Sequence, residues 1–294
     1  MNLHAKETWY RRLFAVTAFS TLIFLAGIIV TLFHGAWPLF REVNVIDFLA
    51  GRAWYPTHTP PEWGILPLIA GTMTVTAGAM LISVPLGVGS ALYLYEIAGK
   101  EKHFIKPLIE ILAGIPSVVY GFFGMAVAAP FIRNFLDLPV GLCAFTASLI
   151  LGIMAVPFIC SLTEDALRMV PKSFREASLA LGASRWQTLV KVIVPAAGSG
   201  ISTAVILGMS RIIGETMTVL MISGGAAVIP KSIFSPVRPM TSTIAAEMGE
   251  AAMGSLHYHA LFGIGLVLFL MTLLLNITAE FISRRFRLKL GLTQ

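Results

Sequence analysis

Arg211 and Glu215 stand four positions apart in a stretch, about 196–222, that carries no other charge. On a helix, residues at i and i+4 share a face and can meet. A guanidinium there offers planar, paired donors to the oxygens of an anion, and a neighbouring carboxylate competes for them. Thr216 adds a hydroxyl donor to the same neighbourhood. The pair also has a purely structural reading, in which two opposite charges reduce each other's cost of burial. With a helix starting just after Pro195, Arg211 lies roughly 22–24 Å along its axis. Glu110 is a further candidate: it lines a path of the same kind, or it pairs with Lys106, four positions earlier, near an interface at lower cost.

The elements that must hold these charges are membrane spans. The chain has 294 residues, of which 56% are hydrophobic and 12% charged, with a mean hydropathy of +0.83. Soluble domains carry about 25% charged residues, so a water-exposed globule is excluded, and so is a disordered chain. Two cysteines exclude a disulfide scaffold or a Cys-rich metal site. Cys143 and Cys160 are about 25 Å apart if one helix carries both, too far to be bridged.

Six apolar runs are long enough to cross about 30 Å of hydrocarbon: 13–33, 65–95, 108–132, 140–162, 196–222 and 259–282. The first exceeds the apolar core of about 7–15 residues of a signal peptide and is expected to be retained. Pro67, Pro85, Gly87 and Gly89 predict tilt or a kink in the second. Under alternating topology with both termini inside, fifteen of the twenty-one basic residues fall on the cytoplasmic side, among them Lys6, Arg284, Arg285, Arg287 and Lys289, and five fall outside. That asymmetry fixes the orientation. It also explains the net charge of +6 through contact with lipid rather than nucleic acid. The expected fold class is therefore all-α and polytopic, with six transmembrane helices. Trp37, Trp54, Tyr55 and Trp63, in an outer loop at 34–64, read as interfacial anchors; a docking surface for an outer partner is the alternative.

Between spans four and five the sequence offers three S-x-x-E/Q patterns, Ser161–Glu164, Ser173–Glu176 and Ser184–Gln187. Each has the form of a capping box, and Gly182 suits the left-handed residue that closes a helix. The expected course is helix, sharp turn, short helix, turn at Pro195, then span five. Leu179, Ala180, Trp186 and Leu189 would form an apolar contact surface while Arg175, Arg185 and Lys191 stay solvated. Such an element either lies on lipid headgroups or plugs into a cytoplasmic partner.

The run Glu176-Ala177-Ser178, Gly182 and Val192-Ile193-Val194-Pro195 resembles the EAA loop of ABC importer permeases, with the Glu-to-Gly and Gly-to-Pro spacings kept. Ser178, Val192 and Val194 replace Ala, Ile and Leu of that pattern. Ala91-Leu-Tyr-Leu-Tyr-Glu-Ile-Ala98, Leu112-Ala-Gly-Ile-Pro-Ser-Val-Val-Tyr-Gly121 and Gly214-Glu-Thr-Met217 are similar to the permeases of phosphate importers, the last to the PstC type. The resemblance implies an ABC type I importer permease in the bacterial inner membrane. It further implies a second permease of PstA type, two ATPase subunits and an outer phosphate-binding protein. Glu176, Ala177, Gly182 and Ala183 would couple to the ATPase, and Arg211, Glu215 and Thr216 would mark the phosphate path. The implied organisation is a first helix and outer loop at 1–65, a transport domain at 66–285 with its coupling loop at 163–195, and a cytoplasmic tail at 286–294.

The chain has no G-x-x-x-x-G-K-[ST] and so builds no P-loop. It is expected to be non-catalytic, without a metal or cofactor of its own, ATP and magnesium belonging to the partner ATPase. Permeases for sulfate, molybdate or tungstate share the loop, and a secondary transporter or channel would need no ATPase at all.

Overall fold

The computed structural model describes residues 3–289, and side chains from residue 9 to residue 281. Lys6, Arg284, Arg285, Arg287 and Lys289 therefore lie outside the described side chains, as does the tail at 286–294.

A long helix, α1 (Leu3–Glu42), leads to α2 (Val45–Ala50) and a two-stranded hairpin, β1 (Trp54–Tyr55) and β2 (Glu62–Trp63), in which Trp54 faces Trp63. Helix α3 (Leu66–Leu92) begins with Pro67 in its first turn, where a missing N–H costs nothing, and runs on through a π-turn, Tyr93–Ile97. Then come α4 (Lys102–Gly114), α5 (Ser117–Phe123), a π-turn at Gly124–Ala128 and α6 (Ala129–Phe135). Helix α7 (Ala144–Arg168) precedes the short α8 (Lys172–Ala180), α9 (Arg185–Thr188), a π-turn at Leu189–Ile193 and α10 (Val194–Ala196). The chain closes with α11 (Gly198–Ile213), α12 (Met217–Ile222), α13 (Met240–Glu247) and α14 (Leu256–Lys289).

Among the described residues, five segments are long and apolar enough to span a bilayer: Trp9–Glu42, Leu66–Ile97, Ser117–Phe135, Ala144–Arg168 and Leu256–Phe281. The pair Arg185–Ala196 and Gly198–Ile213, bent by 68°, makes a sixth when taken as one broken span. The expected six-span, all-helical class holds, with two corrections. Span three is not one helix over 108–132. Pro116 has no N–H to give and its ring bars a continuing turn, and the preceding Ile115 is extended at φ −68°, ψ 127°. Span five is bent at Ala197, not turned at Pro195, which sits inside α10, and it is broken again after Ile213.

Among the described residues, three apolar clusters form the core of the bundle. The outer one joins Leu39, Phe48, Trp54, Ile65, Leu68, Met240 and Leu261. The middle one joins α3, α7, α11 and α12 through residues such as Val75, Leu151, Met154, Ile212 and Ile222. The inner one gathers Leu94, Cys160, Leu167, Leu189 and Ile193. Small residues let α3 and α7 approach along their lengths: a methyl at Gly87 would sit 2.9 Å from Ile159 Cβ, and one at Gly152 would sit 2.9 Å from Ile82 Cβ. Cys143 and Cys160 are both buried and unbridged.

The outer aromatics divide. Trp37 is exposed on α1 with Arg41 stacked 5.8 Å from its ring, which suits an interfacial anchor. Trp54 is no such anchor: it is buried in the outer cluster and its Nε1 donates to the Glu247 carboxylate at 3.1 Å. An indole needs a partner when buried, and only a residue 193 positions away supplies it.

Candidate functional site

The two charges expected on one helical face are separated by a break. Helix α11 ends at Ile213 and α12 starts at Met217, so Gly214, Glu215 and Thr216 lie between them. The i to i+4 meeting fails for that reason, and among the described residues neither Arg211 nor Glu215 has an ion-pair partner. Arg211 is exposed, with its guanidinium carbon 5.4 Å from the Phe158 ring centroid, a cation–π contact. Glu215 turns instead to α12, where its Oε1 accepts the Thr218 N–H at 3.4 Å. Thr216 donates to Gly214 O at 3.3 Å and Thr241 donates to Glu215 O at 2.7 Å, so carbonyls released by the break are re-bonded.

A second break faces the first. Thr218 Oγ1 donates to Ser117 O at 2.9 Å, joining the start of α12 to the start of α5 just past Pro116. Tyr120 spans that interruption by donating to Leu112 O at 2.9 Å. Gly121 permits the approach: a methyl there would lie 3.2 Å from Thr218 Cα. Non-helical backbone at membrane depth persists only where protein buries it or where it borders a water-filled cavity. Arg211 lies about 20 Å along α11 from Gly198, one turn before this junction. The juxtaposition comes from α5 packing on α12 and was not legible in the sequence.

At the cytoplasmic end, the loop expected to make contacts is built around Gly182, whose φ of +83° closes α8 in the left-handed region. Of the three capping boxes only Ser184–Gln187 forms, with Ser184 Oγ accepting the Gln187 N–H at 3.2 Å and Gln187 Oε1 accepting the Ser184 N–H at 2.9 Å. Ser161 lies inside α7, which continues because its buried face runs on through Thr163, Glu164 and Leu167. Ser173 is already past the start of α8, which Pro171 begins at φ −57°, ψ 137°. Glu176, Ala177 and Gly182 are exposed, and Ala183 is half-buried. An open, mostly apolar hollow of about 550 Å³ runs beside them, lined by Phe174, Ala177, Leu181, Ala183 and Val192. Leu179, Ala180 and Trp186 are exposed as the contact surface requires, but Leu189 turns inward to the inner cluster. Arg175 is not free in solvent either: its Nη2 meets Glu96 Oε1 at 2.7 Å.

In sequence Glu164 offers only a cap; in the fold it is the most buried charged side chain described, at 1% exposure. It pairs with Lys102, with Lys106 at 3.1 Å, and with Arg168 through Nε at 2.9 Å and Nη2 at 2.7 Å. The Lys106 contact is electrostatic, since Glu164 Oε2 makes no bond of hydrogen-bond geometry. Two i, i+4 spacings, Lys102–Lys106 and Glu164–Arg168, were visible in the sequence; that they converge is a tertiary fact. Glu110 stands 3.9 Å from Lys106, the interfacial alternative. On the outer side Glu247 collects Trp54, Arg238 at 2.6 Å and His257 at 2.9 Å beside a hollow of about 570 Å³.

The family model described as "binding-protein-dependent transport system inner membrane component" matches residues 83–290. The chain is 40% identical over 275 residues to the "probable ABC transporter permease protein YqgH" of Bacillus subtilis, covering 92% of this chain and 89% of that relative. It is 35% identical over 298 residues to the "phosphate transport system permease protein PstC" of Haemophilus influenzae, covering 93% of each. Among solved structures, a bacterial alginate ABC transporter in complex with its alginate-bound periplasmic protein has a chain with a TM-score of 0.66, 14% identity and 96% coverage of both chains. The MetNI methionine ABC transporter in an inward-facing form gives 0.56 at 22% identity, over 76% of this chain and 94% of that one. The two structures share the fold.

Proposed function

Given that this chain belongs to the binding-protein-dependent transport system inner membrane components, the permeases of ABC importers, we propose that it carries phosphate. Relatives named PstC, at 33–35% identity over more than nine-tenths of the chain, point to that cargo. The observation that carries the anion reading is Arg211: an exposed guanidinium without a carboxylate partner among the described residues, deep in span five and one turn from two facing helix breaks. A lone arginine facing lipid there would cost about 2.5–3.5 kcal/mol; facing a water-lined path, it meets an oxyanion with paired donors. Glu215, held by the Thr218 N–H, shapes the start of α12 beside that path, and Thr216 adds a hydroxyl. Because Glu215 does not reach it, Arg211 waits on the Phe158 ring rather than on a competing carboxylate.

In this reading the chain pairs with a second permease of PstA type above two ATPase subunits, and an outer phosphate-binding protein delivers cargo. ATP binding closes the ATPase pair and draws the two loops carrying Glu176, Ala177, Gly182 and Ala183 together. The cavity then faces outward, and hydrolysis returns it inward. The chain itself hydrolyses nothing.

The test is uptake of labelled phosphate by vesicles holding both permeases and the ATPase, with and without binding protein. Uptake that requires ATP and is unaffected by excess sulfate, molybdate or tungstate is expected. Uptake of one of those anions instead assigns a different oxyanion permease, and uptake without ATP assigns a gradient-driven carrier.

Gly182→Val tests the loop. Nothing lies within 4 Å of a Cβ at Gly182, so the cost is confined to the backbone at φ +83°, about 1–2 kcal/mol for a left-handed residue. The angle between α8 and α9 is then expected to change, with less ATPase co-purifying and an apparent melting temperature only slightly lowered. Full ATPase retention would show that the loop's geometry does not matter for docking.

A further inference from the structure

We propose that Glu96 and Arg175 are positioning residues for coupling: their ion pair carries displacement of the contact helix α8 into span two. The proposal rests on the reading of the chain as an ATP-driven permease.

Helix α8 has no buried residue, and its substantial packing is confined to α9 and the π-turn at Leu189–Ile193. Ser178 and Thr188 share a hydrogen bond of 2.9 Å across that packing. These contacts all lie within the loop itself, so through them a force applied to α8 reaches the following segment and the bent start of span five, while residues 169–171 tie α8 to the end of α7. Among the described residues, one ion pair leaves α8 itself. Arg175, adjacent to Glu176, reaches Glu96 at 2.7 Å, 79 positions away in sequence.

Glu96 is well placed to receive that force. Its side chain is 8% exposed, so it has no comparable freedom to follow solvent. It sits in the π-turn Tyr93–Ile97, which continues α3 without interruption: the Tyr93 N–H still bonds to Gly89 O and Ser90 O. Helix α3 in turn packs along its length against α7, with Gly87 against Ile159 and Gly152 against Ile82 across the interface. A charge-assisted hydrogen bond is short and directional, so it resists both separation and rotation of its ends. Loop movement therefore has covalent routes into α7 and α11 and an ionic route into α3.

The experiment uses the assembled complex in proteoliposomes with binding protein, and reads phosphate imported per ATP hydrolysed. Glu96→Gln and Arg175→Met each keep side-chain size and remove one charge. Each is expected to retain the ATPase and its hydrolysis while importing several-fold less phosphate per ATP. The exchanged pair, Glu96→Arg with Arg175→Glu, is expected to restore most of the ratio. An unchanged ratio in the single variants overturns the proposal, as does a loss of ATPase retention with a normal ratio in the complexes that remain, which marks a purely structural anchor. Failure of the exchanged pair to recover when the complex assembles overturns it too. A wild-type complex that imports no phosphate and retains no ATPase refutes the permease reading itself, an outcome separate from any of these.

Discussion

Arg211→Ala is expected to slow phosphate import by at least about tenfold in a complex that still assembles and still hydrolyses ATP. The guanidinium is exposed and touches the Phe158 ring, with no carboxylate partner among the described residues, so its removal breaks no ion pair of this chain. Assembly should therefore survive. What disappears is the set of donors offered to a partly dehydrated oxyanion. Hydrogen bonds to charged groups are worth about 1.5–3 kcal/mol, and each factor of ten takes about 1.4 kcal/mol, so import should fall by about tenfold to a hundredfold. Arg211→Lys keeps the charge and loses the paired geometry; an intermediate rate is expected. The readouts are initial uptake rate and ATPase co-purification on the same preparation. Normal import by Arg211→Ala ends the anion-path assignment. A complex that falls apart instead shows that Arg211 belongs to the interface with the second permease.

Glu164→Ala should give the largest loss of stability among single substitutions in the cytoplasmic half. Its carboxylate is buried, and Lys102, Lys106 and Arg168 converge on it. Removing it leaves three like charges facing one another around an apolar gap. Breaking a buried ion pair by deleting one partner costs about 3–5 kcal/mol. The lower end applies here, because the three cations are 21–50% exposed and are partly rehydrated. Helix α4 has no buried residue and rests on α7 through this cluster together with half-buried Ile105 and Ile109, so it should detach first. Thermal unfolding in detergent is expected to show a lower midpoint for Glu164→Ala, a smaller shift for Glu164→Gln, and faster proteolysis at 98–116. A midpoint equal to wild type would mean that the cluster holds nothing together.

The two predictions separate a functional charge from a structural one, and the sequence ranked them in the opposite order of visibility. Arg211 announced itself because a charge inside an apolar run is expensive wherever the run folds. Glu164 stood near the end of a span among other polar residues, where a carboxylate is ordinary. Only its burial makes it unusual, and burial is a property of the packed helices. The three capping patterns show the same limit. Each had equal local form, but a cap needs the helix to begin there; the buried face of α7 runs past Ser161, and Pro171 starts α8 ahead of Ser173. Ser184 alone stands at a true beginning.

What the chain's composition settled is everything that follows from transfer between water and hydrocarbon. The number of spans, their approximate limits, the orientation set by basic residues and the left-handed turn at Gly182 depend on local runs or on one residue's own backbone freedom. The spacing around Glu176 and Gly182 likewise placed the cytoplasmic loop. Tertiary structure decided where the spans break, that the break before Met217 meets the break at Pro116, and that Arg211 and Glu215 part company. It also decided which acids collect which bases: Glu96 with Arg175, Glu164 with three cations, Glu247 with Trp54, Arg238 and His257. Hydrophobic transfer is summed residue by residue and can be read along a line. Ion pairing and the satisfaction of freed backbone groups depend on distances of a few ångströms between segments remote in sequence, and those distances exist only once the helices have packed.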